Sequence, residues 1–371
     1  MLEVADIVRL HGAAYRARFA DRLLPSHARA LQDIAACRTA HFGGHLKQCD
    51  RCGRRLYSYH SCGNRACPKC HGEESTRWLE HSRARLLPCR YFLLTFTLPS
   101  ELRSLARSHQ KQLYGALMRS AGAALQTLCL DPRYLGARIG ALALLHTWTR
   151  ALLYHPHVHL LVSAGGLGAN DQWLEPKNPH YLVPVRALSV IFRAKMCAAL
   201  KQLGLLEQLP RMLWKTPWVV HCQHAGNGEQ ALAYLARYVF RIAISNSRLE
   251  SIDNAEVRFR YRDSATQRMR RVSLPAIEFL ARFLQHVLPR GLSKVRYYGI
   301  FSSTGRAQLA QARTQLTHSP CRPPTHSETP TAPAPEQPAP VPESLRCPHC
   351  PTGRLIIIAL LSPHSRARAP P

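Results

Sequence analysis

One apolar segment constrains the fold of this chain more than any other part of it: Tyr154-His155-Pro156-His157-Val158-His159-Leu160-Leu161-Val162. The segment alternates, then runs apolar, and ends at Ser163-Ala164-Gly165-Gly166, which predicts a buried strand of a central sheet closed by a glycine turn. Side chains alternate faces along a strand, so His157 and His159 share one face about 7 Å apart, while Val158 points into the opposite layer. Two imidazoles held in this way can share one metal ion. A pair of satisfied histidines on a half-exposed strand would give the same pattern.

Other segments predict the rest of the sheet. Residues 90–98 are rich in aromatic and β-branched residues and stop at Pro99, which predicts another central strand. Residues 139–148 predict a strand that ends a few residues before the histidine strand, so the two should form an antiparallel hairpin. His146 would then lie opposite His157 and His159 and could supply a third metal ligand, although a core or turn histidine explains it equally well. Helices with apolar stripes alternate with these strands, which indicates an α+β protein with an antiparallel central sheet flanked by helices.

A second motif is formed by cysteines. The chain has 13 of them, many spaced C-x-x-C, which favours metal ligands in a reducing compartment over a disulfide framework. Two such pairs lie 14 residues apart, and four thiolates satisfy tetrahedral zinc, so one structural zinc site is predicted with the ligands Cys49, Cys52, Cys67 and Cys70. Cys62 and His71 are further candidates as ligands. Near the C-terminus, Cys347 and Cys350 form half of a metal knuckle with no second half nearby in the sequence.

The charge of the chain indicates its partner. Lys and Arg number 50 against 22 Asp and Glu, a net charge of +28, and the pI is near 10.3, which favours a polyanion such as nucleic acid. A membrane is not expected, because no apolar run is long enough to span a bilayer, and no secretory signal is evident. A cytoplasmic location is therefore predicted.

Arginines on one predicted strand are candidates for phosphate contacts. Residues 257–262 alternate without a break, so Arg258, Arg260 and Arg262 should point away from the core together. A second arginine-rich strand, residues 268–274, follows after a turn. Arg237 and Arg241, on a predicted helix, complete the set of predicted DNA-binding residues. An ordinary solvated sheet edge is the weaker explanation, because the two strands are predicted to carry five or six arginines without compensating acids.

That predicted helix also carries two tyrosines. It follows Gly226-Asn227-Gly228-Glu229, with Asn227 as a candidate cap and Leu235, Val239 and Ile242 on its buried stripe. Tyr234 and Tyr238 are four residues apart, one turn, and project from the same side. Core packing is the ordinary explanation for tyrosines on such a helix.

Composition divides the chain into three parts. Residues 1–88 are predicted to form a helical and zinc-binding domain, and residues 89–304 to form the domain that contains the histidine strand. Residues 305–371 are rich in Pro, Ser, Thr, Ala and His, and are predicted to be a disordered linker and tail that carries the last C-x-x-C.

The ordered set of motifs resembles a known family, the insertion-sequence-91 rolling-circle transposases. The similar blocks are Cys62-Gly63-Asn64-Arg65-Ala66-Cys67-Pro68-Lys69-Cys70, Thr95-Phe96-Thr97-Leu98-Pro99, His146-Thr147-Trp148, His155-Pro156-His157-Val158-His159, Gly165-Gly166-Leu167, Tyr234-Leu235-Ala236-Arg237-Tyr238 and Leu288-Pro289-Arg290-Gly291. Two blocks depart from the family pattern: Ala66 stands where a histidine is expected, and Thr149-Arg150 stands where Gly-Gln is expected.

The resemblance implies a bacterial, nucleoid-associated endonuclease of the histidine–hydrophobic–histidine (HUH) superfamily. In such an enzyme His157 and His159 would hold Mg²⁺ or Mn²⁺, with His146 as a candidate third ligand. Tyr234 and Tyr238 would attack single-stranded DNA at the ends of the mobile element, leaving a 5′-phosphotyrosine and a free 3′-hydroxyl. Nothing in the sequence indicates the oligomeric state.

Two rival interpretations come from other classes of protein. A catalytically silent, zinc-containing DNA-binding protein would keep the charge and the cysteines but would need neither the histidine pair nor the tyrosines. A zinc hydrolase would use His155, His157 and His159 as ligands, but no nearby acidic general base is evident in the sequence. Metal preference separates the zinc hydrolase from the nuclease, because the nuclease should work with Mg²⁺ or Mn²⁺ and the hydrolase with zinc.

Overall fold

The computed structural model describes residues 2–178, 181–240, 243–263, 266–318 and 346–363. The helices are α1 (Val4–Arg18), α2 (Pro25–Ala35), α3 (Gly72–Arg83), α4 (Arg103–Ser108), α5 (Gln110–Leu130), α6 (Val185–Gln202), α7 (Glu229–Val239), α8 (Ala276–Leu284) and α9 (Arg306–His318). The strands are β1 (Gly44–Cys49), β2 (Arg55–Tyr59), β3 (Tyr91–Thr97), β4 (Arg138–Trp148), β5 (Tyr154–Leu167), β6 (Trp173–Leu174), β7 (Val220–His224), β8 (Leu249–Asp253), β9 (Glu256–Arg262), β10 (Met269–Pro275), β11 (Val295–Gly299) and β12 (Leu355–Leu361). Over these ranges, no helix has the length and apolarity to cross a membrane.

The central sheet is antiparallel, with strand order β11-β4-β5-β3-β7 and β6 paired to β5. The predicted hairpin is present as β4 and β5, and His146 pairs with His157 across it. The predicted turn at residues 163–166 is wrong, because β5 continues to Leu167. Gly166 makes this possible: a Cβ there would lie 2.4 Å from the carbonyl oxygen of Arg138, so only glycine allows β4 and β5 to approach so closely.

Helices cover both faces of this sheet. Val158, Leu160 and Val162 of β5 pack into one buried cluster with residues of α5 and α6, such as Leu117 and Phe192. On the opposite face, Leu161 packs with residues of α3, α7 and α9. Since His157 and His159 alternate with the first set, they lie on the α7 side of the sheet. The predicted α+β fold with an antiparallel sheet between helices is confirmed.

Helix α7 is positioned by its N-cap and by the buried residues along one side of it. Gly228 is the N-cap, in the left-handed conformation at φ 83°, and Asn227, the predicted cap, accepts a hydrogen bond from the Glu229 amide at 3.1 Å. A Cβ on Gly228 would lie 2.9 Å from the ring of Tyr91, so the helix start is fixed against β3. Its residues Leu232, Leu235, Ala236 and Val239 form the buried stripe, and Ile242 lies outside the described residues.

The arginine-rich strands form a separate antiparallel sheet with order β10-β9-β8. Val257 and Phe259 are buried in a third cluster with α1, α2 and α8, whereas Arg258, Arg260 and Arg262 are exposed. The predicted alternation of β9 is therefore confirmed. The second strand differs from the prediction of uncompensated charge, because Arg271 lies 3.0 Å from Glu250 and Arg270 lies 3.4 Å from Asp263.

The C-terminal part of the chain differs from the predicted tail. Residues 306–318 form α9, in which Ala312 is buried and Gln315 accepts a hydrogen bond from the amide of Trp173 at 2.7 Å. Strand β12 pairs with β1, so residues after 346 return to the N-terminal part of the molecule. The densest proline-rich stretch, residues 319–345, lies outside the described residues.

Candidate active site

Three histidines form a compact group on the α7 side of the central sheet. His157 and His159 come from β5 and His146 comes from β4, and their candidate ligand nitrogens all lie within 4.8 Å of one another. The ring centroids of His146 and His159 are 4.7 Å apart, and those of His157 and His159 are 4.9 Å apart. The paired strands bring these side chains together because residues opposite each other in an antiparallel pair share a face.

Hydrogen bonds orient two of the three rings. Nδ1 of His157 donates to the carbonyl oxygen of His155 at 2.7 Å, which leaves its Nε2 as a lone pair. Nδ1 of His159 lies 2.9 Å from the hydroxyl of Thr95 on β3. Nε2 of His146 is buried and makes no hydrogen bond among the described residues. An orphaned ring nitrogen beside two oriented imidazoles fits a metal site better than a satisfied core.

Burial keeps these rings neutral. It lowers the pKa of His157 to about 4 and that of His159 to about 3, and it holds the pKa of His146 well below the ordinary histidine value. Neutral imidazoles offer the lone pairs that a metal ion requires.

The two tyrosines of α7 stand over this group. The ring centroid of Tyr238 is 4.9 Å from that of His146, and the ring centroid of Tyr234 is 6.4 Å from that of His159. The two tyrosine rings are 5.1 Å apart and both are partly buried. The predicted same-side projection is therefore present, and both side chains reach the histidines rather than the hydrophobic core alone.

A cavity of about 700 Å³ opens in front of the histidines and tyrosines. Arg150, Arg237 and Arg248 line it, so its wall is cationic. Burial raises the pKa of Tyr234 to about 12, and the neighbouring Tyr238 raises it too, while the charge of Arg150 and a hydrogen bond from it act in the opposite direction. In the sequence, Arg150 is distinguished only by its departure from the family block.

Backbone contacts join this cavity to the arginine-rich strand β9. Nη1 of Arg150 donates to the carbonyl oxygen of Arg262 at 3.0 Å, and Nε of Arg248 donates to that of Arg260 at 2.9 Å. The exposed arginines of β9 therefore extend the cationic surface beyond the wall of the cavity. Arg237 lines the cavity as well, whereas Arg241 lies outside the described residues.

Eight of the described cysteines form two groups, each with ligand atoms within 4.8 Å of one another: Cys37, Cys62, Cys67 and Cys70, and separately Cys49, Cys52, Cys347 and Cys350. The prediction that Cys49, Cys52, Cys67 and Cys70 share one zinc is therefore wrong. The hairpin of β1 and β2 carries the first C-x-x-C away to β12, and the second packs with α1, α2 and α8. His71 is not in either group, because its Nε2 bonds to the carbonyl oxygen of Asn64 at 3.0 Å.

Comparison with known proteins defines the class of protein. Residues 140–308 match the family described as "Putative transposase", and residues 7–98 match the family described as "Transposase zinc-binding domain". "Putative transposase y4qJ" of Sinorhizobium fredii is 38% identical over 96% of this chain and 95% of its own length. The "Transposase for insertion sequence element IS801" of Pseudomonas savastanoi pv. phaseolicola is 30% identical over 73% of this chain and 69% of its own length.

These matches make the protein a transposase with a zinc-binding domain. The chain belongs to the insertion-sequence-91 family, as its motifs predicted.

Solved structures of the conjugative relaxase TrwC also resemble the chain. The metal-bound complex of TrwC with oriT DNA is 16% identical, with a TM-score of 0.26, and the match covers 62% of this chain and 71% of that chain. The complex of TrwC with a 27-mer DNA that comprises the recognition hairpin and the cleavage site is 19% identical, with a TM-score of 0.24, over 30% of this chain and 44% of that chain.

Proposed function

We propose that this transposase cuts and rejoins single-stranded DNA at the ends of its insertion sequence through a covalent phosphotyrosine. The observation that carries the proposal is the contact of Tyr238 with His146, with ring centroids 4.9 Å apart. The phenol of Tyr238 thus lies beside three imidazoles that could hold a metal ion, in a cavity lined by arginines. A phosphodiester would therefore meet a nucleophile, a metal site and compensating charge at one place.

His146, His157 and His159 would hold Mn²⁺ or Mg²⁺. A divalent ion held there would supply positive charge that stabilises the negative charge developing on the phosphate during in-line attack. Imidazole nitrogen binds first-row transition-metal ions such as Mn²⁺ better than it binds Mg²⁺, which prefers oxygen ligands. This chain should therefore bind Mn²⁺ more tightly than Mg²⁺.

Tyr234 and Tyr238 would supply the nucleophiles. The attacking phenol oxygen forms a bond to phosphorus as the bond from phosphorus to the 3′-oxygen breaks, which leaves a 5′-phosphotyrosine and a 3′-hydroxyl. The phenol loses its proton to solvent and the 3′-oxygen takes one up from solvent, so one phosphodiester replaces another and no nucleotide is consumed. The phosphotyrosine keeps the energy of the cleaved bond, and a 3′-hydroxyl can attack it to rejoin the strand.

Cationic side chains would bind and orient the strand. Arg150 contacts Tyr234 and would stabilise both the phenolate and the adjacent phosphate. The exposed arginines of β9, Arg258, Arg260 and Arg262, would contact the backbone phosphates further along the strand, and Arg237 of α7 would add to them. Arg241, which lies outside the described residues, stays a candidate for the same role.

The transposase zinc-binding domain would take its zinc at Cys37, Cys62, Cys67 and Cys70. The sulfur atoms of Cys37 and Cys70 are 3.4 Å apart and those of Cys62 and Cys70 are 3.5 Å apart, close to the spacing in a tetrahedral thiolate site. All four ligands come from the protein, so the role is structural.

The zinc hydrolase is less favoured. His155 is not in the histidine group, because its Nδ1 accepts a hydrogen bond from Arg103 at 2.9 Å. Asp263 lines the cavity, but its carboxylate bonds to the backbone and hydroxyl of Thr266 and lies 3.4 Å from Arg270. A hydrolase would also leave the position of both tyrosines unexplained.

The test is metal-dependent nicking of labelled single-stranded oligonucleotides that carry the ends of the element. After chelation, nicking should stop, and it should return with Mn²⁺ at a lower concentration than with Mg²⁺. His157→Ala should abolish nicking without loss of fold, whereas His221→Ala, an exposed histidine on β7, should not. Sequence-specific binding with no nick under any metal would favour the silent DNA-binding protein, and nicking restored by Zn²⁺ but not by Mn²⁺ would favour the hydrolase.

A further inference from the structure

We propose that Cys49, Cys52, Cys347 and Cys350 form a second structural zinc site, which makes the C-terminal segment part of the N-terminal zinc module. The matched zinc-binding domain covers residues 7–98 and so contains only half of this group. The other half is contributed by the last C-x-x-C of the chain. The inference is independent of the nuclease chemistry proposed above.

The sulfur positions fit zinc rather than disulfides. The Sγ atoms of Cys49 and Cys350 are 3.6 Å apart, and those of Cys52 and Cys347 are 3.7 Å apart. Zinc–sulfur bonds of about 2.3 Å in a tetrahedron require sulfur–sulfur distances of roughly 3.8 Å, whereas a disulfide requires about 2.05 Å.

Backbone amides surround the sulfurs as they do in zinc knuckles. The amides of Arg51 and Cys52 point at Sγ of Cys49, at 3.4 and 3.5 Å, and the amide of His349 points at Sγ of Cys347 at 3.4 Å. The first cysteine group has the same feature, since the amide of Asn64 lies 3.5 Å from Sγ of Cys62. Such donors stabilise thiolates, the form in which cysteine binds a metal.

Gly353 provides a separate indication that the four sulfurs belong together. A Cβ at this position would lie 2.2 Å from Sγ of Cys49 and 2.6 Å from Sγ of Cys350. Any side chain there would displace two of the four sulfurs. The backbone thus approaches the group as closely as a residue without a side chain allows.

The sheet that carries these cysteines has little else to hold it together. It contains β12, β1 and β2, and in the described residues none of its side chains belongs to the three buried hydrophobic clusters. Ile356 is 54% exposed and Leu360 is 77% exposed. A module that buries so little apolar surface is normally stabilised by a metal or a disulfide. The sulfur–sulfur distances of 3.6 and 3.7 Å are too long for a disulfide and fit a metal site.

The consequence is a module closed by residues from both ends of the chain. Strand β12 pairs with β1 along its length, and the Arg354 amide adds a hydrogen bond to Asp50 at 2.7 Å. Residues 346–363 should therefore be required for the second zinc ion and for the order of β1 and β2, although the proline-rich stretch separates these residues from β1 and β2 in sequence.

The test is the zinc content of the purified full-length chain, measured by inductively coupled plasma mass spectrometry. We expect two zinc ions per chain in the wild type, one in Cys347→Ser/Cys350→Ser, and two in the control Cys89→Ser/Cys197→Ser, whose cysteines lie outside both groups. One zinc in the wild type, or two in the Cys347→Ser/Cys350→Ser variant, would overturn the proposal.

Two further variants guard against a simple folding defect. A chain that ends at Leu345 should hold one zinc, and Gly353→Ala should hold one or bind the second much more weakly. Hydrogen exchange of the β1 amides should become fast in each zinc-deficient variant, while the amides of β4 and β5 stay protected. Unchanged protection of the β1 amides in the zinc-deficient variants would contradict the proposal that residues 346–363 stabilise β1.

Discussion

The hydroxyl of Thr95 lies 2.9 Å from Nδ1 of His159, across the pairing of β3 with β5. Because this contact engages Nδ1, Nε2 is the nitrogen of His159 left to bind a metal ion. Thr95→Val keeps the shape but removes the hydrogen bond, and loss of such an outer partner typically weakens metal binding on the order of 10–100-fold. We expect that loss of Mn²⁺ affinity by isothermal titration calorimetry. Thr97→Val, two residues along the same strand, is the control, and equal affinities for the two variants would contradict the role of Thr95.

The exposed arginines of β9 give a prediction about salt. Replacing Arg258, Arg260 and Arg262 together with Ala should weaken single-stranded DNA binding and reduce the slope of log affinity against log salt by about 2, because each phosphate contact contributes roughly 0.7. The control is Arg133→Ala, an exposed arginine paired with Asp131 on another part of the surface. Fluorescence anisotropy over a salt series measures both slopes, and an unchanged slope in the triple variant would remove β9 from the interface.

Lys294 gives a prediction about pH. Its Nζ donates to the carbonyl oxygen of Tyr238 at 2.6 Å, and burial lowers its pKa to about 7, against about 10.4 for an unfolded lysine. Between these values the unfolded chain binds more protons, so the free energy of unfolding should rise with pH from about 7 to about 10. Lys294→Met should flatten that rise, whereas Lys111→Met, at an exposed position, should not. Urea unfolding at several pH values tests this, and parallel curves for the wild type and Lys294→Met would contradict it.

The parts of the structure that the sequence predicts well are those that depend on short-range pattern. Alternation in β5 and β9, the short connection between β4 and β5, and the four-residue spacing of the tyrosines each determine a face locally. His146 is intermediate. Its position opposite His157 follows only if the hairpin register is known, and the register depends on packing of both strands.

The grouping of cysteines shows where such reasoning fails. The C-x-x-C pairs are alike in sequence, and the 14-residue spacing favoured joining the first two. Tertiary contacts decide which pairs share a metal. Strand β12 pairs with β1, and the sulfur of Cys37, which belongs to no C-x-x-C motif, lies 3.4 Å from the sulfur of Cys70. Thr95 was missed for a similar reason, since its pairing with His159 requires the register of β3.

The measurement that tests the central claim most directly is the covalent adduct. The protein is incubated with Mn²⁺ and a labelled single-stranded oligonucleotide that carries an element end, and the adduct is resolved under denaturing conditions and mapped by peptide mass spectrometry. We predict an adduct on Tyr234 or Tyr238 in the wild type, a reduced or redirected adduct in each single Tyr→Phe variant, and none in Tyr234→Phe/Tyr238→Phe, although that variant still binds DNA. An adduct that persists in the double variant, or that maps to another residue, would contradict the account.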